Sequence, residues 1–114
     1  MRNDLIKFAP TFMGLNDDEL EILAQNFVAG RSPSNSVLFK TGDQSEALYL
    51  IEKGFVRLTT DNGHNLAALG PGSVLGDATL FRGATQDVNA TSVSDVEFWK
   101  LPDRKLRELV LQNP

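Results

Sequence analysis

Short segments of alternating apolar residues fill the middle of the chain and constrain its fold more than any other feature. Between residues 28 and 101 they are separated by turn sequences such as TGDQS, DNGH and GPG. The pair Asn62-Gly63 accepts positive φ at low cost and predicts a hairpin. Such strands predict a barrel or sandwich of antiparallel hairpins rather than alternating strand–helix units. The predicted strands are Ser36–Lys40, Ala47–Glu52, Phe55–Thr60, Asn65–Leu69, Ser73–Leu75, Asp87–Val93 and Val96–Leu101.

Helices are predicted on both sides of this β region. Apolar residues recur at helical spacing over Leu15–Phe27, where Asn16 and Glu19 have the spacing of an N-cap and its reciprocal acid. We interpret the acids of the first turn as favourable charge at the positive end of the helix, not as a metal site. A second amphipathic helix is predicted over Pro102–Pro114.

Composition excludes several classes of function. The 114 residues suffice for one domain, and a net charge of −4 argues against direct contact between this segment and nucleic acid. The absence of cysteine removes thiolate nucleophiles, disulfides and most zinc sites. The single histidine, His64, falls at a predicted hairpin tip and cannot supply a metal centre or a catalytic triad. We therefore predict no catalytic residue, no metal site and no enzyme activity.

Localisation is predicted from what the sequence lacks. It has neither a long apolar run nor the apolar segment of a secretion signal near its first residue. We expect a cytoplasmic protein in which this segment makes no membrane contact.

The segment Val74–Ala90, with the sequence VLGDATLFRGATQDVNA, is the candidate functional site. It is predicted to contain a strand that ends at Gly76 and Asp77, a short helical turn over Ala78–Phe81, a loop, and a second strand from Asp87. A strand that leads into a short helix presents unpaired backbone N–H groups, which can hold a phosphate.

Four motifs and the order of the elements resemble the cyclic nucleotide-binding domain of bacterial catabolite-activator and nitrate-regulator type transcription factors, kinase regulatory subunits and gated channels. The resemblance covers nearly the whole chain. It implies a mostly β fold with flanking helices, a double-stranded β-helix or jelly-roll-like β-roll with an N-terminal helix, a short cassette helix and a C-terminal helix. The motifs are MGLNDDEL (13–20), LFKTGDQSEALYLIEKGFVRL (38–58), LGPGSVLGDATLF (69–81) and VEFWKL (96–101).

The resemblance also implies the domain organisation. We expect one domain over residues 1–114, with the β-roll at 28–101, a phosphate-cassette-like segment at 74–90 and the start of a C-terminal helical region at 102–114.

In that family the cassette follows a pattern close to F-G-E-L-A-L, about four residues, then P-R-x-A-x-V-x-A. Its Glu binds the ribose 2′-hydroxyl, and its Arg and the helix N–H groups bind the cyclic phosphate. Matching the patterns aligns Asp77 with the Glu and, if Val88, Ala90 and Ser92 face inward, Gln86 with the Arg. The candidate ligand-binding residues are therefore Gly76, Asp77, Ala78, Thr79, Gln86 and Asp87.

Two departures fall on the side chains that define the family's ligand. Asp77 is one methylene shorter than Glu, and Gln86 brings no positive charge. A hydrogen bond to a charged group contributes about 1.5–3 kcal/mol, so we expect cyclic-nucleotide binding to be weakened by roughly ten- to a hundredfold or more. Asp87 would add a second carboxylate beside the phosphate in a partly enclosed pocket. Arg82, in the loop, is an alternative source of positive charge.

Two functions remain open. The first is a regulatory ligand-sensing domain of a larger signalling or transcription-regulating protein, with no cofactor and with cAMP or cGMP as a weakly bound candidate ligand. The alternative is a degenerate, nucleotide-free module for interaction or dimerisation, or a sensor of another small anion. A homodimer would form through a helix beyond the chain end.

Overall fold

A computed structural model describes residues 6, 12, 14–76, 85–105 and 108 of the chain. Helix α1 has the capping box that the sequence predicts, because the Asn16 side chain accepts from Glu19 N at 2.8 Å and Asn16 N donates to Glu19 Oε1 at 3.0 Å. The elements are α1 (Asp17–Gln25), β1 (Val28–Ser32), β2 (Val37–Phe39), β3 (Ala47–Lys53), β4 (Val56–Thr59), β5 (Asn65–Leu69), β6 (Val74–Leu75), β7 (Asn89–Ser92) and β8 (Val96–Pro102).

The strands form two antiparallel sheets. The first has the order β1-β8-β3-β6 and the second the order β2-β7-β4-β5. Hairpin partners β4 and β5 are neighbours, whereas β1 pairs with β8 and β2 with β7 across long stretches of sequence. This topology confirms the mostly β, jelly-roll-like fold.

Two apolar clusters lie on opposite faces of the first sheet. The cluster between the sheets takes residues from both of them, for example Ile51 and Leu75 from the first and Phe39 and Ala90 from the second. The other cluster joins the first sheet to α1 through residues such as Leu48. Strand β8 serves both clusters, because its alternating residues Phe98 and Trp99 pack on opposite sides.

Several element boundaries differ from the sequence prediction. The sequence did not identify β1 as a separate strand, because VAGRS lacks an apolar alternation and its pairing with β8 is long-range. Helix α1 is shorter than Leu15–Phe27 at both ends. Strand β7 begins at Asn89 rather than Asp87, and Pro102 ends β8 rather than starting a helix. Residues 103–105 and 108 are helical, as predicted for the C-terminal region.

Candidate functional site

Gly76 follows strand β6 directly and has a left-handed backbone, with φ of +79°. Protein atoms closely border the space beside its α-carbon. A Cβ at this position would lie 3.2 Å from the carbonyl oxygen of Ala47, 3.4 Å from Nε2 of Gln86 and 3.9 Å from Cε2 of Phe39. Glycine is therefore favoured here by both backbone conformation and close packing.

Gln86 lies on the enclosed side of the β-roll and is only 4% exposed. Val88 and Ala90 follow at a spacing of two residues and pack in the cluster between the sheets. The inward alternation predicted for Val88, Ala90 and Ser92 is confirmed, since Ala90 and Ser92 are fully buried. The structure thus brings Gly76 and Gln86 together although ten positions separate them in the sequence.

The backbone around Gln86 is fixed by the turn that connects β2 to β3. Gln86 N donates to the carbonyl of Asp43 at 2.8 Å, and Gly42 N donates to the carbonyl of Gln86 at 2.8 Å. Thr85 forms an antiparallel bridge with Gln44. The turn is itself stabilised, because the Asp43 carboxylate accepts from Lys40 N at 2.9 Å. The sequence TGDQS predicted only a turn, and its pairing with residues 85–86 was not predicted.

The remaining predicted site residues divide into two groups. Asp87 is described and exposed, and its place beside a bound phosphate stays a prediction. Asp77, Ala78 and Thr79 lie outside the described residues, as do Arg82 and the rest of the predicted cassette turn. Gly76, Gln86 and Asp87 each have an interaction partner within the protein.

Aromatic rings line the neighbouring part of the enclosed face. The rings of Phe39 and Tyr49 lie 6.1 Å apart, and those of Tyr49 and Phe98 are edge to face at 5.3 Å. Burial raises the pKa of the Tyr49 phenol, and the nearby carboxylate of Glu46 raises that pKa further. Lys100 Nζ lies 5.8 Å from the centre of the Tyr49 ring.

The sequence matches the model of the cyclic nucleotide-binding domain family over residues 31–113. The chain belongs to the cyclic nucleotide-binding domain family.

This cyclic nucleotide-binding domain is similar in sequence to a cyclic AMP receptor protein and similar in fold to the regulatory domain of a PKA. The chain is 34% identical over 100 residues to the cyclic AMP receptor protein of Thermus thermophilus, covering 84% of this chain and 46% of the receptor. The crystal structure of the T. thermophilus catabolite activator protein superposes with a TM-score of 0.78 at 32% identity, over 90% of this chain and 50% of that one. The regulatory domain of Toxoplasma gondii PKA with cAMP superposes with a TM-score of 0.86 at 21% identity, over 94% and 42%.

This cyclic nucleotide-binding domain thus spans less than half the length of the curated relatives it matches.

His64 is exposed next to the β4–β5 turn, where the sequence placed it. Among residues 14–76 and 85–105, no three His, Cys, Asp or Glu side chains come close enough to hold a metal ion. No helix in the described part of the chain is both long and apolar enough to cross a bilayer.

Proposed function

We propose that this domain is a regulatory ligand-sensing module of a larger signalling or transcription-regulating protein, with a weakened site for cAMP or cGMP. The observation that carries the proposal is the position of Gln86, which is enclosed by the β-roll and lies against Gly76 at the end of β6. In the family's cassette pattern, the residue aligned with Gln86 is the arginine that binds the cyclic phosphate.

The chemistry of Gln86 supports weak rather than tight binding of a cyclic nucleotide. A carboxamide can donate a hydrogen bond to a phosphate, but it brings no charge to offset the desolvation of the anion. The cyclic AMP receptor protein of Thermus thermophilus, which is 34% identical over 100 residues, supports the ligand class. Because the chain covers only part of this relative, the output module is also a proposal.

Thermal unfolding in the presence of nucleotide tests this function. A ligand that binds only the folded state stabilises it by RT ln(1 + [L]/Kd), about 2.7 kcal/mol at a hundredfold excess over Kd. We expect millimolar cAMP or cGMP to raise the melting temperature of the wild-type domain slightly. The double variant Asp77→Glu/Gln86→Arg should show a larger shift, because it restores the two side chains of the family pattern. No shift in either protein would remove the nucleotide-sensing function.

A second candidate is a nucleotide-free interaction or dimerisation module, or a sensor of another small anion. It is favoured by the packing beside Gly76, where atoms of Ala47, Gln86 and Phe39 lie 3.2–3.9 Å from the Cβ position and leave a ligand little space for approach. The same experiment separates the two candidates, because a nucleotide-free module shows no thermal shift with either nucleotide.

The domain itself is proposed to be regulatory and not catalytic. Its formal charge of −4 supports the further expectation that this segment does not bind nucleic acid directly. A cytoplasmic location belongs to the same proposal.

A further inference from the structure

The carboxamide of Gln86 lies against Gly76 on the enclosed side of the β-roll. Its Nε2 lies 3.4 Å from the position of a Cβ on Gly76, and the side chain is almost completely buried. We propose that Gln86 is an internal plug of the ligand site, which an incoming ligand must displace before it can contact the Gly76 turn. This inference rests on the ligand site proposed above, but it gives Gln86 a role opposite to that of a ligand contact.

The backbone of Gln86 is held in place by hydrogen bonds at both its N–H and its carbonyl. The N–H and the carbonyl of Gln86 are both bonded to the turn at residues 42–43, each at 2.8 Å. The bridge between Thr85 and Gln44 fixes the preceding residue as well. We call residues 42–44 the clamp, because they fix the backbone of residues 85–86. The carboxamide can therefore leave the space beside Gly76 most readily by rotation about its own side-chain bonds.

The chemistry of the enclosed face explains how glutamine can stay in this position. The Phe39 ring, which belongs to the apolar cluster between the sheets, comes within 4 Å of the same Cβ position of Gly76 as the Gln86 carboxamide does. An arginine would carry a full charge into this setting and would need an anion to compensate it. A neutral carboxamide can remain buried once its hydrogen bonds are satisfied. Glutamine therefore stabilises the closed site, whereas arginine would favour the anion-bound site.

Calorimetric titration with cyclic AMP separates a plug from a ligand contact. Removal of the carboxamide in Gln86→Ala opens the site, so we expect a dissociation constant at least about fivefold lower than that of the wild type. A ligand contact gives the opposite sign, because its loss weakens binding. The matched control is Gln44→Ala, which removes the same group from an exposed position within the clamp and should leave the affinity unchanged.

An NMR measurement on the wild-type protein tests the plug without any substitution. The side-chain NH₂ of Gln86 should show nuclear Overhauser effects to the Phe39 ring and to the α-protons of Gly76. Addition of saturating cyclic AMP should abolish these contacts. Their absence before the addition, or their persistence in the saturated protein, would overturn the plug.

Failure of the plug and failure of the proposed function give different results. If Gln86→Arg binds cyclic AMP but Gln86→Ala binds no better than the wild type, the plug is wrong and the ligand site stands. If wild type, Gln86→Arg and Gln86→Ala all fail to bind, both the nucleotide-sensing function and the plug are wrong.

Discussion

Replacement of Gly76 by alanine tests the geometry from which the candidate site is built. The substitution adds one methyl group at a residue whose φ is +79°, a conformation that L-residues adopt only with strain. That methyl group would also lie 3.2 Å from the Ala47 carbonyl oxygen and 3.4 Å from Gln86 Nε2. Two separate costs therefore add at this position.

The two costs have different sizes. The left-handed conformation costs an alanine about 1–2 kcal/mol relative to glycine. The 3.2 Å contact requires the Ala47 carbonyl to move by a few tenths of an ångström, and we assign about 1 kcal/mol to this movement, at the low end for overpacking. The total is about 2–3 kcal/mol, which for a domain of this size lowers the melting temperature by roughly 8–15 °C.

Urea unfolding of two alanine variants separates these costs. Gly63 has nearly the same φ, +81°, but no atom lies within 4 Å of its Cβ position. Gly63→Ala should therefore lose only the conformational part, about 1–2 kcal/mol, with an unchanged dependence on urea. Gly76→Ala should lose about 1 kcal/mol more than Gly63→Ala. Equal losses in the two variants would refute the closed packing beside Gly76.

Two further predictions concern the buried phenol of Tyr49 and the buried hydroxyl of Ser92. Since Tyr49 is the only tyrosine, the absorbance of tyrosinate should rise at higher pH in the folded protein than in the urea-unfolded chain. The stability that protonated Tyr49 maintains should be lost as pH increases above about 10. A folded protein that titrates at the same pH as the unfolded chain, or at a lower pH, would contradict this prediction. Ser92 is fully buried, and its Oγ accepts from Ser36 N at 2.9 Å and donates to the Pro33 carbonyl at 2.6 Å. Ser92→Ala should lower the free energy of unfolding in urea by about 1–3 kcal/mol. The control is Ser94→Ala, because the Ser94 hydroxyl accepts from the exposed Phe55 N. An equal or smaller loss in Ser92→Ala than in Ser94→Ala would contradict the stabilising role of the buried Ser92 hydrogen bonds.

Local signals in the sequence were sufficient for much of the fold. The bounds of β5 and the capping box of α1 were predicted correctly because both depend on residues close together in the chain. Strand β1 was not identified, because its pairing with β8 brings together residues 64 to 72 positions apart. Gly30 illustrates this long-range dependence, since the Phe98 ring of the partner strand fills the space that a side chain would need.

The candidate site was also predicted only in part, because some of its geometry follows from local alternation and some depends on long-range contacts. Strand alternation placed Gln86 on the inner face correctly, because the period of two extends backwards from Ser92 through Ala90. The contact between Gln86 and Gly76 was not predictable from alternation. It depends on long-range contacts, because residues 42–44 fix the Gln86 backbone near the end of β6. The roles of Asp77, Ala78, Thr79 and Asp87 in ligand binding stay predictions.

The affinity of cyclic AMP for the wild-type domain and for Gln86→Arg tests the central claim most directly. If Gln86 stands where the family's phosphate-binding arginine would be, the variant should bind at least about tenfold more tightly, and the gain should diminish as salt concentration rises. The same affinity in both proteins, or weaker binding by Gln86→Arg, would contradict the position assigned to Gln86 in the site.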